Sequence, residues 1–395
     1  MSSLPIIHVL PDHERRLRSG SPWLYSNEIR PEAALRSLEL GSLVKVAFAD
    51  GKAYGLAHYN PHSLIAARIL TRSRDVEIGP AFFERRLARA LALRELLFDQ
   101  PYYRLAHGEA DGLPGLIVDR YGDTVVAQVN TAGMDRAQEA WLEALDRLLK
   151  PGRIVFRGDA PVRALEGLAE DVRVVKGDPD APTFVEEDGR RFQVDPVGGQ
   201  KTGWFYDQRA NHAFAARLAA GRDVLDVYSY GGGFGLAAAA GGATSVLMVD
   251  RSQAALDLAA ASAELQGVAG RCSFQRADAF DAMDRLGKEG RRFGLVMCDP
   301  PAFVKSRKDL KAGLKGYRKL ARAAAALTAE QGFLLVSCCS HNVDAEAFLG
   351  EIWAGIREAG RGGRVVHRAG ANVDHPIHPA LVETVYLKFL VWALD

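Results

Sequence analysis

Residues 224–235 read VLDVYSYGGGFG, and the fold follows from how this stretch is read. Val224, Leu225 and Val227, with Asp226 among them, describe a strand that ends in a turn. Gly231, Gly232, Gly233 and Gly235 then let the backbone approach a ligand with no Cβ in the way. An alanine-rich helix follows over residues 236–240, and the next strand, SVLMVD over residues 245–250, ends on a carboxylate placed to accept both hydroxyls of a ribose. Strand, glycine turn, helix, strand and acid make an α/β unit. The phosphate-binding spacing G-x-G-x-x-G is absent, because Leu236 stands where its last glycine would be and the glycines run G-x-G-x-G. Asp226, just ahead of the turn, would repel a pyrophosphate. The loop therefore suits a ligand with a positive amino-acid end and no phosphates, such as S-adenosylmethionine; taken singly, it equally suits a generic βαβ crossover.

With 395 residues the chain favours two or three domains. Its net charge of +1 means that any nucleic-acid contact must come from local patches and not from the field of the whole molecule. Cys272, Cys298, Cys338 and Cys339 fit no metal spacing and point to a reducing compartment. The apolar run over residues 4–10 is interrupted by Pro5 and His8, follows no positive charge and is too short to span a bilayer. A cytoplasmic protein with no membrane segment and no metal is expected.

Residues 1–72 read as a small β-rich unit. Residues 44–49, the Asp50-Gly51 turn and residues 53–59 make a hairpin, with residues 64–70 as a third strand, because Asp-Gly between β-type runs is a strong hairpin signal. Ahead of it Arg15, Arg16 and Arg18 could grip phosphates, and Trp23 and Tyr25 offer stacking faces. A solvated helix with a core tryptophan is the alternative. After a polar linker, residues 73–190 make a middle α+β unit: a helix over 82–98, a hairpin over 115–130, a helix over 134–149 and a strand over 153–157. The ionisable run His107 to Asp111 within it reads as a solvated loop.

A hairpin over residues 184–194, turning at Asp188-Gly189, leads into the third unit, residues 191–395. The following VGGQKTGWFYDQRANH is not a Walker loop, because Gln200 precedes Lys201 where glycine is needed. It reads as a clamp in which Lys201, Gln208 and Arg209 offer donors to a carboxylate while Trp204, Phe205 and Tyr206 give flat apolar cover. A helix N-terminus packed on the core is the alternative. Beyond the glycine loop the βα alternation continues, with Asp278-Ala279 at one strand end and FGLVMCDPPAF running a buried strand into Asp299. Pro300-Pro301 fixes an extended loop where a carboxylate and carbonyls can meet a planar base. Asp250, Asp278 and Asp299 thus describe one cleft at the carboxyl edge of a parallel sheet. Lys305, Arg307, Lys308, Lys311, Lys315, Arg318 and Lys319 follow, either as a solvated helix face or as a contact to a phosphate backbone. The strand GFLLVSCCS then ends in two thiols. Successive strand residues face opposite sides, so one of Cys338 and Cys339 faces the cleft while the other packs in the core.

Seven stretches together carry a family likeness: SPWLYSNEI from Ser21, GGQKTGWFYDQR from Gly198, LDVYSYGGGFGLAA from Leu225, VDRSQAALDLA from Val249, CDPPAF from Cys298, SCCS from Ser337 and DHP from Asp374. They resemble class I S-adenosylmethionine-dependent methyltransferases, and more narrowly the ribosomal RNA large subunit methyltransferase I family of cytosine-5 methyltransferases, over essentially the whole chain. The resemblance implies an N-terminal RNA-binding domain of the PUA type, a middle α+β domain, and a Rossmann-like methyltransferase domain whose sheet ends in an antiparallel strand. The expected cofactor, S-adenosyl-L-methionine, would be held by Lys201, Phe205, Gln208, Arg209, Asp226 and Tyr228, by Gly231 and Gly233 of the turn, and by Asp250, Arg251, Asp278, Ala279 and Asp299. Large-subunit ribosomal RNA is the expected partner, through Arg15, Arg16, Arg18, Trp23, Lys305, Arg307 and Lys308, and a homodimer is left open. Two positions depart from the family pattern: Gly231, usually threonine, should loosen the cofactor turn, and Ser262, usually asparagine, should remove a hydrogen bond.

Carbon 5 of cytosine is not nucleophilic, so a thiolate must first add to carbon 6. The resemblance assigns that thiolate to Cys339, the cysteine followed by Ser340, and has Asp299 contact the N3 edge. Ala302 stands where many RNA cytosine-5 methyltransferases carry a second cysteine. Two other functions stay open. Methylation of a base nitrogen, as on guanine, needs no covalent cysteine; an assembly factor could keep the fold without catalysis. The thiols speak against the first, and Asp250, Asp278 and Asp299 against the second.

Overall fold

The computed structural model describes residues 4–395. Its chain divides into two compact units: the first holds the residues up to Thr183 with Asp195–Gly203 and Asp374–Thr384, the second Phe184–Val194, Trp204–Val373 and Val385–Asp395. A single cut near residue 190 does not describe this division, because the chain leaves and re-enters the first unit twice.

In the first unit β1 (Ile6–His8), β2 (Trp23–Leu24), β3 (Ser42–Ala47), β4 (Ala53–Tyr59) and β5 (Ala67–Thr71) form a sheet in the order β1-β3-β4-β5-β2. The antiparallel pair β3/β4 turns at Asp50-Gly51, where Gly51 takes a left-handed φ of 81°. Ile7, Val44, Val46, Ala57 and Ala67 fill its core. A second sheet, β10-β9-β8-β7-β6, is made by β6 (Tyr102–His107), β7 (Leu116–Tyr121), β8 (Thr124–Val129), β9 (Arg153–Gly158) and β10 (Asp171–Lys176). Helices Pro80–Leu97 and Gln138–Leu149 share its core through Phe83, Leu87, Trp141 and Leu145. The one helix expected over residues 134–149 is two, Ala132–Arg136 and Gln138–Leu149. The buried Trp141 indole N–H donates to the Met134 carbonyl at 2.8 Å, next to the break.

The expected solvated loop at His107 to Asp111 is instead a structural knot. Asp111 accepts both guanidinium arms of the fully buried Arg94, at 2.7 and 2.8 Å, and Glu109 accepts from the Trp23 indole and from Arg68, at 2.7 and 2.8 Å. Sequence could not reveal this, since both cations lie far along the chain. Glu166, 3% exposed, ties the two sheets together: it accepts from Asn60 Nδ2 and Ser63 Oγ, both at 3.0 Å, and from the backbone N–H of Ala132 at 3.3 Å. Its loss strands these buried donors, so Glu166→Ala should destabilise the protein by about 3 kcal/mol or more, and Glu166→Gln by less. Urea unfolding of the two variants against wild type measures the difference.

The second unit opens with the hairpin β11 (Thr183–Glu187) and β12 (Arg190–Val194). Its turn residues Asp188 and Gly189 have φ of 51° and 77°, as a two-residue hairpin turn requires. The central sheet follows: β13 (Asp223–Val227), β14 (Ser245–Asp250), β15 (Cys272–Arg276), β16 (Phe293–Cys298), β17 (Thr328–Cys338), β18 (Gly363–Ala369) and β19 (Lys388–Leu394). Their order is β15-β14-β13-β16-β17-β19-β18. The strands from β15 to β17 are parallel, and β19 runs antiparallel between β17 and β18, so the antiparallel strand ends the chain but not the sheet. Strand order reverses between β13 and β16, which opens a crevice at their carboxyl ends. Helix Leu310–Leu327 shows why the basic run is helical: Gly313, Tyr317, Leu320, Ala321, Ala324 and Ala325 are buried along one stripe, leaving Lys311 and Lys315 exposed.

Candidate active site

The buried strand β13 carries Asp226 to the crevice. Asp226 is 1% exposed; one carboxylate oxygen accepts the Gly235 N–H at 2.8 Å, at the start of helix Gly233–Ala240, and the other has no partner. A Cβ on Gly235 would lie 2.9 Å from that carboxylate and 2.6 Å from Met248, so the close approach requires glycine. Between strand and helix the turn is strained: Tyr228 and Tyr230 have φ of 65° and 47°, a region that bulky residues rarely enter. Asp250 holds the turn by accepting the Tyr230 N–H with one oxygen and the Ser252 N–H with the other, both at 2.9 Å. Its remaining lone pairs point to further acceptor capacity. Gly231 has no neighbour closer than Trp204, 3.4 Å from an added Cβ, so this face of the turn has room for a side chain. Ser262 does not lose its hydrogen bonding: its hydroxyl accepts from Gln193 N at 2.8 Å and donates to Leu258 O at 2.7 Å.

Asp299 ends β16 next to a second group of residues. Gln208 and Ser337 hydrogen-bond to its carboxylate, and Gln208 also donates to Ser337 Oγ at 3.2 Å. Burial, and then the charge of Asp207, push the Asp299 carboxyl up to about 6 against those two hydrogen bonds. Burial pushes Asp226 further, up to about 8, with Asp299 and Asp250 adding to the rise and the Gly235 N–H opposing it. Across the same crevice Cys339 is half-buried with its Sγ 4.0 Å from the Pro300 carbonyl, whereas Cys338 is fully buried in the apolar core. Strand alternation thus separates the two thiols as expected.

Not every predicted residue joins this group. Phe205 packs edge-on against Tyr230, with ring centroids 5.2 Å apart, and Arg251 and Asp278 both lie near the Tyr228 hydroxyl. Asp278 also caps helix Ala279–Lys288 by accepting from Phe280 N at 2.9 Å, and Ala279 is buried behind it. Arg209 pairs with Asp188 at 3.3 Å. Lys201 belongs to the first unit, where its neighbour Thr202 donates to Asp119 at 2.5 Å. Of the residues expected to meet RNA, Arg16 pairs with Glu28 and lies over Tyr25, Arg18 pairs with Glu14 and lies over Phe48, and Trp23 is anchored on Glu109. Arg15, Lys305, Arg307 and Lys308 are exposed. The sequence reading missed Asp207, which accepts from the Tyr386 hydroxyl at 2.5 Å, and Ser229, whose buried hydroxyl has no partner. Both lie inside stretches that carry the family likeness, Asp207 in GGQKTGWFYDQR and Ser229 in LDVYSYGGGFGLAA.

Fold and strand-end acids together define an S-adenosylmethionine-dependent methyltransferase: the profile of the family so described matches residues 169–388, and that of a PUA-like domain matches residues 7–72. The ribosomal RNA large subunit methyltransferase I of Vibrio cholerae is 36% identical over 391 residues, covering 97% of this chain and 98% of its own. That of Tolumonas auensis is 34% identical over 391 residues, or 98% of each chain. The chain therefore belongs to the ribosomal RNA large subunit methyltransferase I family. A solved S-adenosylmethionine-dependent methyltransferase from Streptococcus mutans shares its fold with a TM-score of 0.83 at 20% identity, over 99% of this chain and 100% of that one. A second solved methyltransferase, complexed with SAH, gives 0.83 at 19% identity over 98% and 99% of the two chains. Among the described residues no helix is long and apolar enough to cross a membrane.

The residues fit S-adenosylmethionine. The unpartnered Asp226 oxygen and Ser229 hydroxyl would accept from its ammonium and Asp250 from its ribose hydroxyls, and the Gly231 to Gly235 turn would allow the close backbone approach. Asp226 holds its proton up to about pH 8 in the ligand-free fold but only to about 4 when unfolded, so its contribution to stability is present at low pH and lost as pH rises through that window. Asp226→Asn removes this slope. Its melting temperature relative to wild type should rise between about pH 5 and about pH 8, while its affinity for S-adenosylmethionine falls about tenfold or more. Thermal melts and calorimetric titration read the two effects separately.

Proposed function

We propose that the protein methylates carbon 5 of a cytosine in large-subunit ribosomal RNA, in the cytoplasm, through a covalent adduct with Cys339. The observation that carries this is the juxtaposition of a half-buried thiol, its Sγ 4.0 Å from the Pro300 carbonyl, with the half-buried Asp299 of the same proline loop. The relatives named above carry ribosomal RNA in their names, which supports the substrate class. When bound, S-adenosylmethionine supplies an electrophilic methyl group. The chain's own part is to make carbon 5 electron-rich. Cys339 Sγ, as thiolate, forms a bond to carbon 6 and shifts the ring electrons toward carbon 5 and N3. Asp299 offers a proton to N3 as that charge develops, a task suited to a carboxyl pushed up to about 6. With the methyl group on carbon 5, the carbon 5 proton passes to a solvent base, its electron pair restores the C5–C6 double bond as the S–C6 bond breaks, Cys339 is released as thiolate and the N3 proton returns to Asp299. The exposed Lys305, Arg307 and Lys308 directly after the proline loop, with Arg15 on the short helix Glu14–Arg18 of the PUA-like region, are the proposed contacts to the phosphate backbone.

RNA carrying 5-fluorocytosine at the target should trap the adduct, because fluorine cannot leave as a proton. Wild type and Cys338→Ala should be trapped and Cys339→Ala should not, with cofactor binding intact in all three. Denaturing gel shift reads the outcome. Trapping that survives loss of Cys339 would refute the assignment, and no trapping by an active wild type would point to methylation of a ring nitrogen.

A further inference from the structure

Lys388 opens β19 directly opposite Cys338 in the antiparallel ladder. The side chain is buried, and its ammonium donates to the carbonyl of Ser340 at 2.6 Å and to that of Tyr386 at 2.8 Å. Among the described residues it forms no ion pair with a carboxylate. A buried cation held by carbonyls alone is costly, and an anion forming beside it relieves that cost. Three acidic groups reach the ammonium electrostatically: Cys338, Cys339 and Asp344, which caps helix Ala345–Glu358. Tyr317, on helix Leu310–Leu327, faces both thiols and hydrogen-bonds the Ser340 hydroxyl at 3.2 Å. Asp299 precedes the Pro300 carbonyl that Cys339 approaches, and Tyr386 supplies one of the ammonium's own acceptors.

These neighbours are not equivalent as seats for a negative charge. Cys338 is fully buried, beside the Tyr317 hydroxyl, where a thiolate would be most heavily desolvated, whereas Cys339 is only half-buried. Asp344 spends one carboxylate oxygen on the Ala347 N–H at 2.8 Å. We propose that Lys388 is a positioning residue for the nucleophile: from its seat on the Ser340 and Tyr386 carbonyls, its ammonium stabilises the thiolate of Cys339 and holds the backbone that carries it. This rests on covalent catalysis by Cys339. It adds a buried residue of the last strand, β19.

The test is the pH profile of iodoacetamide alkylation, mapped cysteine by cysteine by peptide mass on the full-length protein, for wild type, Lys388→Arg, Lys388→Gln and Lys388→Met. Wild type and Lys388→Arg should share an inflection at Cys339, and Lys388→Gln and Lys388→Met should move it up by about one pH unit, an approximately tenfold loss of thiolate near neutrality. Methyl transfer by the two uncharged variants should fall by a similar factor at neutral pH and recover toward alkaline pH, with S-adenosylmethionine affinity unchanged. A purely structural strut predicts the opposite ranking, since glutamine still offers N–H groups to the two carbonyls and would keep the wild-type profile. That result overturns the proposal, as does a shift that appears at Cys338 in place of Cys339. Should Lys388→Met fail to fold, the comparison of Lys388→Gln with Lys388→Arg decides. Alkylation needs no RNA, so a failure of wild type to be trapped on 5-fluorocytosine RNA refutes covalent catalysis without deciding the charge coupling.

Discussion

The second unit depends on one desolvated carboxylate. Asp226 sits at the carboxyl end of the central strand with a single backbone donor, the Gly235 N–H, for its two oxygens. To bring that donor within reach, the chain must turn sharply, admit no side chain at Gly235, and hold Tyr228 and Tyr230 in left-handed conformations. Each of these costs stability in the ligand-free fold, and the large apolar core beneath the sheet offsets them. The same features leave one Asp226 oxygen without a partner.

The acids at the strand ends act on one another as well as on a ligand. The Asp226 carboxyl is raised by the charges of Asp299 and Asp250, and that of Asp299 by the charge of Asp207. A ligand that brings both an ammonium and a sulfonium into this field relieves the repulsion. A pyrophosphate would add to it. The preference for S-adenosylmethionine over a dinucleotide thus follows from charge as much as from glycine spacing.

In the first unit the buried polar groups serve a different purpose. Arg94 with Asp111, Arg104 with Asp119, and Glu166 with Asn60 and Ser63 are all satisfied pairs that join segments distant in sequence. Arg94 also donates to the Asp374 carbonyl, and Asp374 accepts the Arg104 N–H, both at 2.9 Å, which fixes the DHP segment onto this unit. Such pairs specify which segments meet more than they add net stability.

Much was legible in the chain alone. The β13-turn-helix-β14 unit, the three strand-end acids, the two hairpin turns at Asp-Gly and the opposite facing of Cys338 and Cys339 all rest on local rules: side-chain period, glycine's freedom at positive φ, and the alternation of strands. What local rules do not carry is which distant groups meet. The reading of His107 to Asp111 as solvated failed because Arg94 and Arg68 arrive from other elements. Asp188, on a hairpin, meets Arg209, and Glu109 accepts the Trp23 indole N–H, pairings that no local pattern announces. Ser262 keeps its hydrogen bonds because β12 brings the Gln193 N–H to it. Lys388 belongs to no motif, and its place opposite Cys338 exists only once β19 lies against β17. Sequence by itself determined the elements and the chemistry available at their ends; tertiary structure alone decided which charges are paired and which are left for a ligand, because electrostatic partners are chosen by distance in space and not by separation along the chain.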